Sequence, residues 1–285
     1  MTADSEVELR LGGCAVARYV VRPDLDPTQA PRPYLHPVRT LDGVVVTDTE
    51  PADHRWHLGA SLAVPDVSGA NLWGGRTYVR GAGYTWRGDH GRIEHVDFVT
   101  LADDQLTERL HWHDRAGRTL LSEERRLRAR LLPGRPAAWV LDIGYRLTAP
   151  ADRDTTLGSP ATSGRPGGTG YGGFFWRAAP GAEAPRVFTP TATGERAANG
   201  STEPWLALTS RPPNPYTLIF TGLAAGDHWF VRATQYPGVC AALAFEKPRV
   251  IEAGTTMSGH HAVVVADAVL SRRAAGQVAA KIASI

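Results

Sequence analysis

The sequence predicts an all-β, antiparallel sandwich or barrel. Short runs rich in Val, Leu, Thr and aromatics recur almost to the end of the chain. Gly, Pro and Asp separate them, and no helical patterns alternate with them as a parallel sheet would require. Thirty glycines and 21 prolines punctuate the 285 residues. In order, the expected strands are 44–47, 92–100, 106–113, 118–132, 139–147, 206–209, 217–221, 229–234, 239–245 and 261–265. The clearest hairpin joins 106–113 to 118–132 through Asp114-Arg115-Ala116-Gly117, where Asp can hydrogen-bond its own turn and Gly can adopt a left-handed backbone. One helix is expected, at 271–281, with Ser271 as its N-cap.

Two stretches do not read as strands. The segment 23–37 holds five prolines and is expected to run extended, delivering Tyr34-Leu35-His36-Pro37-Val38-Arg39 to a fixed place. The segment 158–173, with seven glycines and two prolines, reads as a long loop ending on Tyr171 and running into Phe174-Phe175-Trp176-Arg177. Loops of that length in a compact fold commonly carry function. No internal repeat or linker divides the chain, so one domain spanning 1–285 is expected.

Composition narrows the function classes. Lys plus Arg number 31 against 29 acids, and no basic arm is present, so nucleic acid is not an expected partner. The charges from Glu123 to Arg130 read as a solvated strand face. No run of about 18 apolar residues could span a bilayer, and the first residues lack the pattern of a secretory signal. The expected setting is therefore cytoplasmic and reduced, with Cys14 and Cys240 as buried free thiols. A homodimer through a sheet edge or the C-terminal helix is compatible with the pattern, which does not demand one.

The densest chemistry lies in Asp53-His54-Arg55-Trp56-His57-Leu58-Gly59, followed by Pro65-Asp66-Val67 and Asn71-Leu72-Trp73-Gly74-Gly75. Imidazoles, carboxylates, an amide and indoles packed so closely suit a pocket for a polyhydroxylated ligand, with rings under sugar faces and short polar groups meeting hydroxyls. His57 is the first candidate for acid/base work, with His54 or His36 as partner and Asp53 orienting an imidazole. Arg39, Asn71 and Arg232 are candidates to hold hydroxyls, and Trp56, Trp73, Tyr171 and Trp176 to supply stacking faces. No cofactor is predicted. The His-x-x-His spacing with His36 or Asp53 leaves a divalent metal as an option, although the helical His-Glu-x-x-His signature is absent. Serine-hydrolase elbow, phosphate-loop and dinucleotide-binding patterns are also absent.

The segments 32–39, 53–59, 65–67, 71–78, 170–173 and 229–232 resemble a bacterial family of uncharacterised proteins labelled PmoA-like, or methane oxygenase. A methane mono-oxygenase subunit would need membrane spans that this sequence lacks. The resemblance implies instead a β-supersandwich similar to galactose mutarotase and a carbohydrate ligand. Mutarotases use an Arg, two His and a Glu. By that resemblance Trp56-His57-Leu58-Gly59 supplies the first His and Arg39 the Arg; His95, His111 or His113 would be the second His, and Glu246 or Glu123 the nearest candidate for the Glu. The expectation is a carbohydrate-active enzyme working by His/carboxylate chemistry on a sugar or keto-sugar glycoside, through epimerisation, glycoside cleavage or elimination. The alternatives are a non-catalytic sugar-binding or regulatory module and a His-ligated metal-dependent oxygenase or lyase.

Overall fold

A computed structural model describes residues 5–134, 136–211 and 213–283. Two antiparallel sheets form the sandwich. The seven-stranded sheet runs, in spatial order, Glu6–Leu11, Cys14–Val20, Tyr34–Val38, Ala60–Ala63, Gly173–Arg177, Gly238–Ala242 and His228–Arg232. The eight-stranded sheet runs Arg186–Phe188, Trp205–Thr209, Thr217–Thr221, Thr256–Ala266, Ala138–Thr148, Thr119–Leu132, Gln105–His113 and Arg92–Leu101. The hairpin expected from sequence forms as Gln105–His113 with Thr119–Leu132, and the Asp114 carboxylate accepts the Arg118 amide at 2.9 Å across the turn. The 44–47 run instead makes only isolated bridges, Arg39 to Val45 and Thr47 to Ala178.

The main core lies between the sheets. Leu110, Trp112, Leu121, Leu127, Trp139 and Leu141 face Leu9, Leu62, Phe174, Trp176 and Trp229. A period of two sends alternate residues to opposite faces. In Gly173–Arg177, Phe174 and Trp176 therefore enter this core, while Phe175 turns to the outer face beside Ala63, Trp73, Phe230 and Cys240. A third apolar layer covers part of the eight-stranded sheet's outer face, where Ala275, Ala279 and Ile282 of the C-terminal helix Arg272–Ala283 pack on Trp205, Ile219 and Val264.

Two expectations are corrected here. The 123–130 stretch is not one solvated face: Glu123 and Arg125 are buried and paired at 2.7 Å, and only Glu124, Arg126 and Arg128 point to solvent. Alternation placed both charges inward, and they persist there because they neutralise each other. Of the thiols only Cys240 is buried; Cys14 opens a strand directly after the Gly12-Gly13 turn and is exposed. No described helix is long and apolar enough to cross a membrane.

Candidate functional site

The outer face of the seven-stranded sheet carries a cleft of about 1750 Å³. Its floor is built by the loop 50–58, which closes on itself: the Glu50 amide donates to the His57 carbonyl, His54 to Pro51, and His57 to His54, each at 2.9 Å. Those consecutive turns bring the His54 and His57 rings into a stack, with centroids 4.6 Å apart. Buried Arg32 fixes the walls, donating to the Trp56 carbonyl at 2.9 Å and the Trp73 carbonyl at 3.1 Å and so tying the two indole-bearing segments together. Gly75 is required by close approach, since a Cβ there would fall 2.5 Å from the Trp56 ring in a left-handed backbone that disfavours side chains.

His57 is almost fully buried, and its Nδ1 lies 3.2 Å from the Arg177 guanidinium. A guanidinium only donates, so Nδ1 accepts and the ring proton resides on Nε2. Burial first, then His54, Arg177 and Arg32, push the His57 pKa well below its ordinary value, and the ring is held neutral. His54 is more open and hydrogen-bonded in the opposite sense: its Nδ1 donates to the Asp53 carboxylate at 2.9 Å, so that in the neutral ring the lone pair is on Nε2. Desolvation raises the Asp53 pKa, but hydrogen bonding and charge from His54, with the charge of Arg177, together outweigh it and the net shift is downward. Arg177 is nearly buried, yet loosely held: its Nε is 3.5 Å from Asp48 without forming a hydrogen bond, and its Nη2 is 3.9 Å from Asp53. Its guanidinium stacks 4.6 Å over Tyr236.

Aromatic rings continue outward from this floor. Trp73 packs on Tyr171 at 4.6 Å and on Phe175 at 4.8 Å, and Tyr171 on Phe230 at 5.3 Å. The Tyr171 hydroxyl lies 2.9 Å from that of Tyr84, which also takes a hydrogen bond from Arg165 of the glycine-rich loop. That loop thus forms a wall of the cleft. Arg232 completes the far side, donating to Asn199 at 3.2 Å and lying 3.9 Å from Glu195.

Of the residues expected from sequence, the cleft gathers Asp53, His54, Trp56, His57, Trp73, Tyr171 and Arg232. The other candidates lie elsewhere. Trp176 is fully buried between the sheets, its indole N–H donating to Val46, because it sits one residue out of phase with Phe175. Asn71 spends its amide on the loop beside it: its Oδ1 accepts the Trp73 and Gly74 amides at 2.9 and 2.8 Å, and its Nδ2 donates to Gly75 and Thr77. Arg39 reaches only the Gly43 carbonyl, and His36 pairs with Thr47; neither lines the cleft. His95 and Glu123 belong to a charged network inside the sandwich, and His111, His113 and Glu246 also lie outside the cleft. The sequence reading missed Arg177, Tyr236, Arg165 and Tyr84. Parity from Phe175 would have placed Arg177 on the outer face; no local pattern points to the others.

The fold and site define an all-β sandwich protein with an aromatic-walled cleft ending on an imidazole, guanidinium and carboxylate cluster. The chain belongs to DUF6807, a family of unknown function whose model matches residues 6–280. No curated protein matches it. It is similar to the crystal structure of a candidate aldose 1-epimerase from Escherichia coli K12, with 12% identity and a TM-score of 0.31 over 72% of this chain and 81% of that one. A likeness of that size carries no inference about activity. Among the described residues, no group of three or more His, Cys, Asp or Glu is placed to hold a metal ion.

Proposed function

We propose that this protein is an enzyme acting on a carbohydrate in the cleft, with the Asp53–His54 pair as general base and His57 as a fixed hydrogen-bond donor. One observation carries the reading: a cleft of about 1750 Å³ with aromatic walls ends on two stacked imidazoles in opposite hydrogen-bonding states. Asp53 accepts from His54 Nδ1, orienting the ring so that Nε2 can take a proton. Arg177 donates to His57 Nδ1, so His57 presents Nε2–H without becoming charged, a state suited to an oxygen that gains negative charge as the reaction proceeds. Trp56 and Tyr171 offer faces for the apolar side of a sugar ring, with buried Trp73 backing Tyr171 at 4.6 Å.

This division of labour favours removal of a proton beside a carbonyl, as in epimerisation of or elimination from a keto-sugar. Glycoside hydrolysis is less well served, because a ring held neutral by burial and two guanidinium groups is a poor acid for a leaving alkoxide. The test is deuterium exchange at the carbons flanking the carbonyl of 3-keto-glycosides in D2O, followed by NMR. Wild type is expected to catalyse exchange, and His54→Ala and His57→Gln to slow it roughly 10²-fold or more. Binding with no exchange would replace the enzyme reading with that of a sugar-binding module.

A further inference from the structure

We infer that the ligand of this cleft carries an anionic group, a carboxylate or a phosphate, which the outer walls recognise through unpaired arginines; this rests on the carbohydrate reading above. The chain as a whole is close to neutral, with 31 basic and 29 acidic residues. The cleft is not: Arg76, Arg165, Arg196 and Arg232 line it against only Asp53 and Glu195. Both acids are already engaged. Asp53 holds His54, and Glu195 Oε2 accepts the Ala233 and Thr234 amides at 2.8 and 2.9 Å, which, with Arg232 nearby, lowers its pKa against desolvation.

Three of the four arginines make no ion pair among the described residues: only Arg232 has a carboxylate near it, at 3.9 Å. Arg165 is the best placed. It lies 4.7 Å over the Tyr84 ring and donates to the Tyr84 hydroxyl, so its guanidinium is held against the wall while most of its donors stay free. Arg76 lies 5.7 Å over the ring of Trp86, an indole 52% exposed at the cleft wall. These groups come from separate segments: the approach to the Thr77–Val79 strand, the glycine-rich loop, the short helix Glu195–Ala198 and the end of the His228–Arg232 strand. Cations left without carboxylates in a shared concavity focus a positive potential into it, and a charged ligand oxygen there gains charge-assisted hydrogen bonds. A neutral sugar would leave those donors to water.

The experiment is calorimetric titration of the full chain with hexoses, the corresponding uronates and 6-phosphates, inorganic phosphate and succinate, at about 0.02 M and about 0.3 M salt. The same panel is run on Arg165→Met and Arg196→Gln. The expected result is that uronates or sugar phosphates bind at least about tenfold tighter than the parent sugar, that salt narrows the gap, and that either variant reduces it. Whether uronate or phosphate wins identifies the anion. Equal affinity for charged and neutral sugars overturns this inference and leaves the carbohydrate reading standing. Phosphate or succinate binding as tightly as the charged sugars supports the anion site and overturns the carbohydrate reading. No binding by any of them overturns both.

Discussion

Two clusters of ionisable groups in this molecule are each built around a buried guanidinium, and they are built to different standards. Inside the sandwich, Glu108 takes hydrogen bonds from Tyr19 and, at 2.6 Å, from His95. Arg125 holds Glu123 through two contacts of 2.7 and 2.8 Å, and Trp112 donates to Glu123 at 2.7 Å. Behind the cleft, against His57 and Tyr236, Arg177 reaches Asp48 and Asp53 only at 3.5 and 3.9 Å, and its Nε has no hydrogen-bond partner among the described residues. A buried network fully satisfied by its own partners contributes to structure; one left short of partners at the edge of a cavity retains capacity for a ligand.

Breaking each cluster at its guanidinium should separate the two roles most sharply. Arg125→Met leaves two carboxylates buried without their cation and is expected to cost about 3–5 kcal/mol, read as a shift in chemical denaturation midpoint. Arg177→Met leaves Asp48 and Asp53 partly solvated and is expected to cost about 1–2 kcal/mol, while sugar exchange falls by about 10². Similar stability losses in the two variants would erase the distinction.

Acid probes the sealed side further. His261 lies between the sheets, stacked on Phe174, and burial lowers its pKa to about 4. The unfolded chain therefore binds more protons than the folded one below the ordinary imidazole pKa of about 6.5. The stability is whole above pH 6.5 and is lost as pH falls, by about 3 kcal/mol for His261 alone at pH 4. His57, shifted the same way, adds to the same limb. Denaturation curves across this range should fall less steeply for His261→Leu.

Smaller effects refine the boundary of the cleft. Asn71→Ala unties the Trp73–Gly75 loop and is expected to cost about 2 kcal/mol, weakening binding through displaced Trp73. Arg39→Ala, outside the cleft, should change stability by less than about 0.5 kcal/mol and leave sugar exchange unaltered.

What the sequence disclosed depends on the range of the interaction. The hairpin at Asp114–Gly117 and the Ser271 cap are local: their residues lie within a few positions of one another, and both expectations hold, with the Ala274 amide 3.3 Å from the Ser271 hydroxyl. The closeness of His54 and His57 in sequence was equally legible, but the spacing left open whether their rings converge, which the turns of the loop decide. Arg177 and Tyr236 meet that loop only after strands distant in sequence have paired, and no spacing rule encodes it. Trp176 shows how narrow the margin is. One residue of strand parity separates a ring in the core from a ring in the cleft.

On the proposed reading, His54 and His57 face a carbohydrate in opposite hydrogen-bonding geometries. Long-range ¹H–¹⁵N spectra of the histidine side chains, assigned with His54→Ala and His57→Gln and recorded with and without keto-sugar, test it directly. His57 is expected to remain neutral with its proton on Nε2 at pH 6, His54 to carry its proton on Nδ1 when neutral, and both resonances to move on adding the sugar. A His57 ring that is protonated at pH 6, or resonances that no sugar moves, would contradict it.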